Sequence, residues 1–165
     1  MSNLAFVYFF EYSITTSFGI QAVNKICAND PNCENNFALQ QAYIILNFCY
    51  QIGVFFSRSS LQFFVVERTW IVTTLQLANF MFFLLNAFYL FCDQIYVLFV
   101  LMVWVGCMGG TSYVNVIYKI QRSTKLKRTE KELAVMILMV FNDVGILSAS
   151  ILALVLSLTV FKVSN

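Results

Sequence analysis

Charged residues are scarce in this chain of 165 residues, and histidine is absent. Charged side chains make up 11% of the sequence and hydrophobic ones 60%, with a mean hydropathy of +0.77. Soluble globular domains have roughly 25% charged and about 45–50% apolar residues, so a soluble domain is excluded. Because a membrane span must satisfy every backbone polar group internally, the composition predicts a mostly α-helical integral membrane protein.

Two targeting signals and one class of site are not expected from the sequence. No basic residue precedes the first apolar segment and Glu11 lies inside it, so we expect no cleavable signal peptide. The last four residues contain no cysteine, which argues against a prenyl anchor. The five cysteines form no CxxC pair, and there is no histidine to complete a ligand set. We therefore expect neither a metal site nor a cofactor.

Five apolar segments are long enough to cross a bilayer, which takes about 20 residues. They are predicted at residues 4–26, 37–56, 70–91, 95–120 and 133–161. The last two exceed this length and can tilt or protrude beyond the hydrocarbon core. Together the segments predict one transmembrane helical bundle over residues 1–165.

The charges between the segments predict how the bundle is oriented. The first connection contains Asp30 and Glu34 with only Lys25 nearby, and the third has little beyond Asp93. "KIQRSTKLKRTEKE", between the fourth and fifth segments, carries six Lys or Arg residues and two Glu. The positive-inside rule therefore places the second and fourth connections and the N-terminus in the cytosol. The basic segment is interpreted as a topology signal, with binding of anionic lipid head groups as the alternative.

Two local features are expected at the ends of the segments. Cys27 and Cys33 flank the first connection, which is predicted to face away from the cytosol, so a disulfide and two free thiols both remain open there. The spacing of Thr129 and Glu132 predicts a capping box at the start of the fifth helix.

Polar side chains recur at helical spacing inside the predicted spans. In the first span they share one face; the positions are Tyr8, Glu11, Tyr12 and Thr15. Comparable stripes follow in the second span (Gln40, Tyr43, Asn47, Tyr50, Gln51), the third (Gln76, Asn79, Asn86) and the fifth (Asn142, Asp143, Ser150, Ser157). Any single amide is explained by interhelical hydrogen bonding. The stripes together, with two acids expected to be buried, predict an aqueous cavity.

Glu11 and Asp143 are the only acids deep inside the predicted spans. An ionisable residue within a span is a functional hypothesis by default, and proton coupling through either acid is the hypothesis here. The alternative is a buried ion pair, or a neutral hydrogen-bonded acid, that joins two helices.

The stretch "GCMGGTSYVN" places three glycines and several polar residues inside the fourth span. Gly106 and Gly110 form a small-xxx-small seam, extended by Tyr113, that predicts close helix packing. Asn115 falls on roughly the opposite side of the helix, together with Ser112 and Lys119. One helix therefore combines a packing seam with a polar face, which a lipid anchor does not need.

Five motifs in order carry a resemblance to a known family. They are "YFFEY" at 8–12, "YQIGVFFSRSSL" at 50–61, "TW" followed by Leu75-Gln76, "GGTSYVN" at 109–115 and "NDVGI" at 142–146. In order and spacing the chain resembles the C-terminal half of the battenin family of lysosomal and vacuolar membrane proteins, over nearly its whole length. The resemblance also implies a distant kinship to equilibrative nucleoside transporters.

That resemblance implies a major-facilitator-type fold, with six helices in one half and about five in the half that this chain represents. It implies export of glycerophosphodiesters from the lysosome and, for fungal relatives, vacuolar basic amino acid balance and pH homeostasis. Arg58 falls where such folds carry a basic loop motif, so it is expected to act as a gate or a topology anchor. A missing N-terminal half, or a second copy, would complete the cavity; we favour a fragment of a longer chain.

The leading hypothesis is therefore a solute transporter of an acidic organelle, with a small-molecule substrate and membrane lipid as partners and no nucleic acid. The residues expected to line its cavity, couple transport or gate it are Glu11, Arg58, Gln76, Tyr113, Asn115 and Asp143. The alternative is a non-transporting membrane scaffold that regulates organelle pH and trafficking through its basic segment. No catalytic motif is recognisable, so an enzyme is not expected.

Overall fold

The computed structural model describes residues 2–31, 33–59, 69–124 and 127–160, and within these ranges every regular element is helical. The elements are α1 (Ser2–Ser13), a π-helical turn (Ile14–Phe18), α2 (Gly19–Asn29), a 3₁₀ turn (Cys33–Asn35), α3 (Phe37–Gln40), α4 (Ala42–Ser59), α5 (Thr69–Tyr89), α6 (Ile95–Arg122) and α7 (Arg128–Thr159). The prediction of an all-α membrane fold is confirmed.

The first helical run is continuous, but in its middle the backbone hydrogen bonds span five residues instead of four. α1, the π-helical turn and α2 follow one another without a gap. Around the wide turn, hydroxyl groups bond back to the preceding turn, with Ser13 Oγ 2.7 Å from the Phe9 carbonyl and Thr16 Oγ1 2.6 Å from the Tyr12 carbonyl. The backbone N–H of Gly19 bonds to the Ile14 carbonyl, five residues earlier. Turns of this kind occur mainly as single bulges inside α-helices and are frequent at functional sites.

A disulfide closes the connection after α2. Cys27 and Cys33 are bonded, with their Cα atoms 5.2 Å apart, which decides between the two states that the sequence left open. The Asn36 side chain then accepts a hydrogen bond from the Ala38 N–H at 3.0 Å and caps α3. The second predicted segment is not one helix, because α3 ends at Gln40 and the long helix starts only at Ala42.

Among the residues that the structure describes, three helices are long and apolar enough to cross a membrane by length and composition, namely α5, α6 and α7. α5 and α6 begin and end within two residues of their predicted bounds. The first run contains the π-helical turn and is divided among shorter elements, and α4 is a shorter helix with polar residues along it. The five-span count and the orientation therefore remain predictions.

The capping box expected at the start of the last helix lies elsewhere. α7 begins at Arg128, ahead of the predicted start, and the backbone N–H of Lys127 donates to the Glu130 side chain at 2.7 Å. Thr129 consequently lies inside the first helical turn. Glu132 instead forms an exposed ion pair with Arg128, at 3.5 Å.

α4 and α6 form the most extensive helix pair, and glycines set how closely they approach. A Cβ at Gly53 would overlap the Val103 carbonyl, and a Cβ at Gly106 would overlap the Tyr50 carbonyl. Gly110 faces the Ser57 hydroxyl in the same seam. Backbone contact of this kind is what small-xxx-small sequences permit. Here the seam on α6 is occupied by α4.

The remaining packing brings α1 to the centre of the bundle. α1 packs on α7 and α5, and it also contacts α6. The largest fully buried side chains in the described core include Phe18, Phe83, Leu98 and Met102. α7 is different, since most of its apolar side chains are exposed and only Leu138, Gly145 and Ala149 are buried.

Candidate functional site

A buried carboxyl group lies where α1, α4 and α6 meet. Glu11 of α1 is 1% exposed, and the Tyr50 hydroxyl of α4 donates a hydrogen bond to its carboxyl group. Gly109 of α6 makes room for that group, because a Cβ there would overlap the carboxyl oxygens. Oε2 of Glu11 has no hydrogen-bond partner among the residues that the structure describes. A buried polar atom without a partner is costly, so such atoms are rare and often functional.

Aromatic rings surround this carboxyl group. Tyr8 and Tyr12 stack one helical turn apart on α1, with ring centroids 6.1 Å apart and planes 19° from parallel. Tyr113 of α6 meets Tyr8 edge to face, with centroids 6.4 Å apart. We call these three residues, with Tyr50, the tyrosine cluster. Its hydroxyl groups and ring faces are the polar surface next to Glu11.

A cation lies against the tyrosine cluster. Arg58 comes from the last turn of α4, where a positive charge also suits the negative end of the helix dipole. Its guanidinium carbon lies 4.9 Å from the centroid of the Tyr113 ring, within the range of a cation–π contact. The guanidinium also donates a hydrogen bond to the Tyr8 hydroxyl and attracts the Glu11 carboxyl group. Arg58 is nevertheless exposed, so it covers the cluster from outside.

The structure brings four of the predicted residues to one place. Glu11, Arg58 and Tyr113 belong to the site described above, and Asp143 lies near enough to Tyr12 to interact with it electrostatically. Asp143 is exposed, however, so only one of the two acids expected to be buried is buried. The reason is that α7 packs through one narrow face and the described residues leave its other sides uncovered.

The two predicted amides have separate surroundings. Gln76 of α5 is fully buried; its Oε1 accepts a bond from Asn79 at 3.3 Å, and its Nε2 has no partner in the described ranges. Asn115 of α6 is also buried and donates to the Thr111 carbonyl of its own helix at 2.8 Å. Both bonds lie within a single helix, whereas the simpler interpretation of single amides expected bonds between helices.

The polar stripe of the second segment is mostly exposed. Tyr50 is its buried member, whereas Tyr43 is 56% exposed and Gln51 is exposed as well. Asn47 donates to the Tyr43 carbonyl, one turn earlier in the same helix. The stripe therefore contributes one side chain to the site. Gly109, which the site requires, carried no signal of this role, because the contact depends on how α1 crosses α6.

Metal binding finds no support in the parts of the chain that the structure describes. Within them, no group of three or more Cys, Asp or Glu side chains is arranged to hold a metal ion. The charged atoms of the site are the Glu11 carboxyl group and the Arg58 guanidinium, separated by tyrosines. Such a site can bind or release a proton, or hold an organic ion. It offers no set of metal ligands.

Whether the chain belongs to the family that its motifs resemble is decided by the comparison with protein families. A family model described as CLN3 protein matches residues 1–163. The chain belongs to the CLN3 protein family. Membership of this family and the long apolar helices make it a multi-pass membrane protein.

Several relatives of this CLN3-family chain match most of it. Battenin of Dictyostelium discoideum is 40% identical over 157 residues, which cover 95% of this chain and 36% of that protein. Protein btn-1 of Neurospora crassa is 29% identical over 158 residues, covering 96% and 32% respectively. Battenin of Canis lupus familiaris is 33% identical over 114 residues, covering 69% and 26%. The chain thus spans about a third of the length of these relatives. No solved structure matches it.

Proposed function

We propose that this chain is part of a solute carrier of the lysosomal or vacuolar membrane. The whole protein would export glycerophosphodiesters, or contribute to basic amino acid transport and to pH homeostasis of the organelle. Family membership supports a membrane protein of this kind. The substrate classes and the location come from the family resemblance described above.

The observation that carries the proposal is the buried Glu11 carboxyl group with its unpartnered oxygen. An acid inside a span costs several kcal/mol when ionised unless it is paired or hydrogen-bonded. A structural acid would be expected to use both of its oxygens, whereas Glu11 uses one for Tyr50 and leaves Oε2 without a described partner. This favours a group that exchanges a proton or contacts a ligand during its working cycle.

A carrier also needs a second wall for its cavity. The chain spans about a third of the length of its relatives, and α7 exposes most of its apolar surface. A further part of a longer protein, or a second copy, would supply the opposing wall in a major-facilitator-type arrangement. Asp143, near Tyr12 but exposed, would then lie at the border between the two parts.

In this proposal the carrier works by alternating access. Arg58 closes the cluster on one side by its contacts with Tyr113 and Tyr8. Release of these contacts would open Glu11 to that side, and protonation of Glu11 would remove the charge that attracts Arg58. Proton binding and opening would thereby be linked, as a coupled carrier requires.

The test compares the contents of isolated organelles from cells that lack the gene. Full-length protein is returned as wild type, as Glu11→Gln, or as Glu132→Gln. The last is the control, since Glu132 is an exposed acid at the start of α7, outside the site. We expect glycerophosphodiesters to accumulate without the gene, and to fall with wild type and Glu132→Gln but not with Glu11→Gln at equal abundance.

Two other outcomes would reject the proposal. Unchanged glycerophosphodiesters and basic amino acids, with altered trafficking of the organelle, would favour the membrane scaffold instead. Full complementation by Glu11→Gln would remove the observation on which the carrier hypothesis depends.

A further inference from the structure

An apolar cavity of about 360 Å³ lies between α1 and α7, apart from the buried acid. It is lined by Ala5, Phe6, Phe9 and Phe10 of α1 and by Val144, Gly145 and Ser148 of α7. The two helices touch through their backbones beside it, because a Cβ at Gly145 would overlap the Ala5 carbonyl. The Ser148 hydroxyl donates to the Val144 carbonyl of its own helix at 2.7 Å, so its proton is not available to a ligand.

The cavity lies on the faces of α1 and α7 that point away from their acidic residues. A helix turns by about 100° per residue, so Phe6 and Phe9 lie about 140–160° around α1 from Glu11. Ser148 lies about 140° around α7 from Asp143 by the same count. The acids can therefore face the interior of a larger protein while the cavity faces the hydrocarbon of the bilayer.

The depth of the cavity places it in the leaflet next to the basic segment. α7 becomes apolar at Leu133, and Val144 follows 11 residues later, about 16 Å along the helix axis. One leaflet contributes half of a hydrocarbon core of about 30 Å, and its acyl chains reach to that depth. An acyl chain whose head group lies at the start of α7 therefore ends at the cavity.

The start of α7 also determines which head group is attracted. Residues 119–132 contain six Lys or Arg and two Glu, a net charge of +4. Lys127 and Arg128 are exposed at the beginning of the helix, although Arg128 also pairs with Glu132 at 3.5 Å. Basic clusters that directly adjoin a membrane span attract anionic phospholipids.

Packing, and not the hydrophobic effect, would hold an acyl chain in the cavity. Lipid tails are as apolar as the cavity walls, so a chain gains no transfer free energy by entering. It does gain dispersion contacts with wall atoms that would otherwise face a gap. Phe6 and Phe10 stack with ring centroids 6.4 Å apart and supply much of that wall.

We propose that the chain has a binding site for one anionic phospholipid of the leaflet next to the basic segment. The phosphate head group lies against Lys127 and Arg128, and one acyl chain fills the cavity between α1 and α7. The lipid would then join the basic segment to the α1–α7 pair. This site goes beyond the carrier function and does not depend on it.

Native mass spectrometry of the full-length protein tests the head group. The probes are phosphatidylserine and phosphatidylcholine with identical 18-carbon chains. We expect wild type to retain phosphatidylserine preferentially, by about fivefold for each basic side chain that contacts it. Lys127→Gln combined with Arg128→Gln should lose this preference. Glu132→Gln, which removes an acid from the same helical turn, should keep it or raise it. An unchanged preference in the double variant overturns the proposal.

The cavity is tested with a side chain that fills it. Val144→Trp adds volume at a lining residue that is 53% exposed, so the fold can accommodate it. Leu147→Trp is the matched control, since Leu147 is 61% exposed on α7 and lies outside the lining. We expect Val144→Trp to lose the retained 18-carbon phosphatidylserine and Leu147→Trp to keep it. Equal retention by Val144→Trp and wild type would mean attraction to the basic surface alone, and it rejects the site.

Chain length tests whether one lipid makes both contacts. Phosphatidylserine with eight-carbon chains can contact the basic residues but is too short to reach the cavity. Val144→Trp should therefore bind it as well as wild type does, while the Lys127 and Arg128 double variant should bind it less. A loss of the short lipid in Val144→Trp contradicts the assignment of the cavity to the end of the chain.

A protein segment in the cavity would give a different pattern. If another part of the full-length protein covers it, wild type retains no more phosphatidylserine than Val144→Trp does, and Val144→Trp lowers the Tm relative to Leu147→Trp. That pattern rejects the lipid site. It leaves the carrier function untouched, because organelle contents are measured independently of lipid retention.

Discussion

The Tyr50 hydroxyl donates a hydrogen bond to the Glu11 carboxyl group and thereby ties α4 to α1. α4 is simultaneously held against α6, since the Tyr50 carbonyl lies where a Cβ of Gly106 would be. Tyr50 therefore contacts both neighbouring helices, one through its side chain and one through its backbone. The position of Glu11 depends on this arrangement.

Removal of the Tyr50 hydroxyl should destabilise the protein. Tyr50→Phe leaves the buried Glu11 carboxyl group without its described donor, which we expect to cost about 1–3 kcal/mol. Thermal unfolding in detergent measures the effect as a lower Tm. Tyr43→Phe is the control, because Tyr43 lies on the same helix but is 56% exposed. Equal Tm values for the two variants would contradict the role of the Tyr50–Glu11 bond.

A methyl group at Gly109 should displace Glu11. Its Cβ would overlap the carboxyl group, so Gly109→Ala should cost about 1–3 kcal/mol, as overpacking usually does, and should lower transport. A shorter acid should restore part of the loss. We expect Gly109→Ala with Glu11→Asp to be more stable than the sum of the single changes, which a double-mutant cycle measures. Strict additivity would show that the two positions do not interact.

A larger residue in the α4–α6 seam should separate the helices. Gly106→Val places side-chain atoms against the Tyr50 backbone, which cannot rotate away, so we expect a loss of about 3 kcal/mol or failure to fold. Val100→Leu adds volume on the same helix at a position 70% exposed and should change stability by less than about 0.5 kcal/mol. Monodispersity in detergent distinguishes the two variants. A well-behaved Gly106→Val protein would be evidence against the seam.

Thiol counting should reveal the disulfide. Cys49, Cys92 and Cys107 are free thiols, while Cys27 and Cys33 are bonded. The denatured chain of residues 1–165 should therefore react with three maleimide groups before the disulfide is reduced and with five afterwards. Loss of this cross-link should cost about 2 kcal/mol, because the loop that it closes is short. Five groups before reduction would mean that the bond is not formed.

Proton coupling should depend on Glu11 more than on Asp143. If Glu11 exchanges the proton, transport by wild type varies with lumenal pH, whereas the residual downhill flux through Glu11→Gln does not. Asp143→Asn should retain the pH dependence, since Asp143 is exposed in the described bundle. A pH series of substrate flux measures both. The coupling hypothesis is ruled out if both variants keep the wild-type profile.

The sequence predicted the positions of the helices better than the contacts between them. Apolar length located α5 and α6 closely, and helical spacing placed Tyr8 and Glu11 on a common face. Periodicity defines a face only relative to its own helix, however, and does not tell which neighbour meets that face. For this reason the contact of Glu11 with Gly109 was not predictable, nor was the exposure of Asp143.

Two helix boundaries were predicted wrongly from the sequence, for a different reason. The break at Gln41 and the start of α7 at Arg128 depend on short-range hydrogen bonds. Apolar composition does not report these bonds. The Glu130 side chain illustrates this, because it caps the helix one turn ahead of the apolar residues that marked the predicted start.

The length of α7 has a consequence for the kind of membrane that suits the protein. The apolar part of this 32-residue helix follows the polar residues 128–132, and its 27 residues correspond to about 40 Å at a rise of 1.5 Å per residue, beyond a hydrocarbon core of about 30 Å. An apolar helix of that length fits a thick bilayer with less tilt than a thin one. Bilayer thickness would thus contribute to the sorting of this protein among cellular membranes, and lipids of different chain length would change the tilt of α7 against α1.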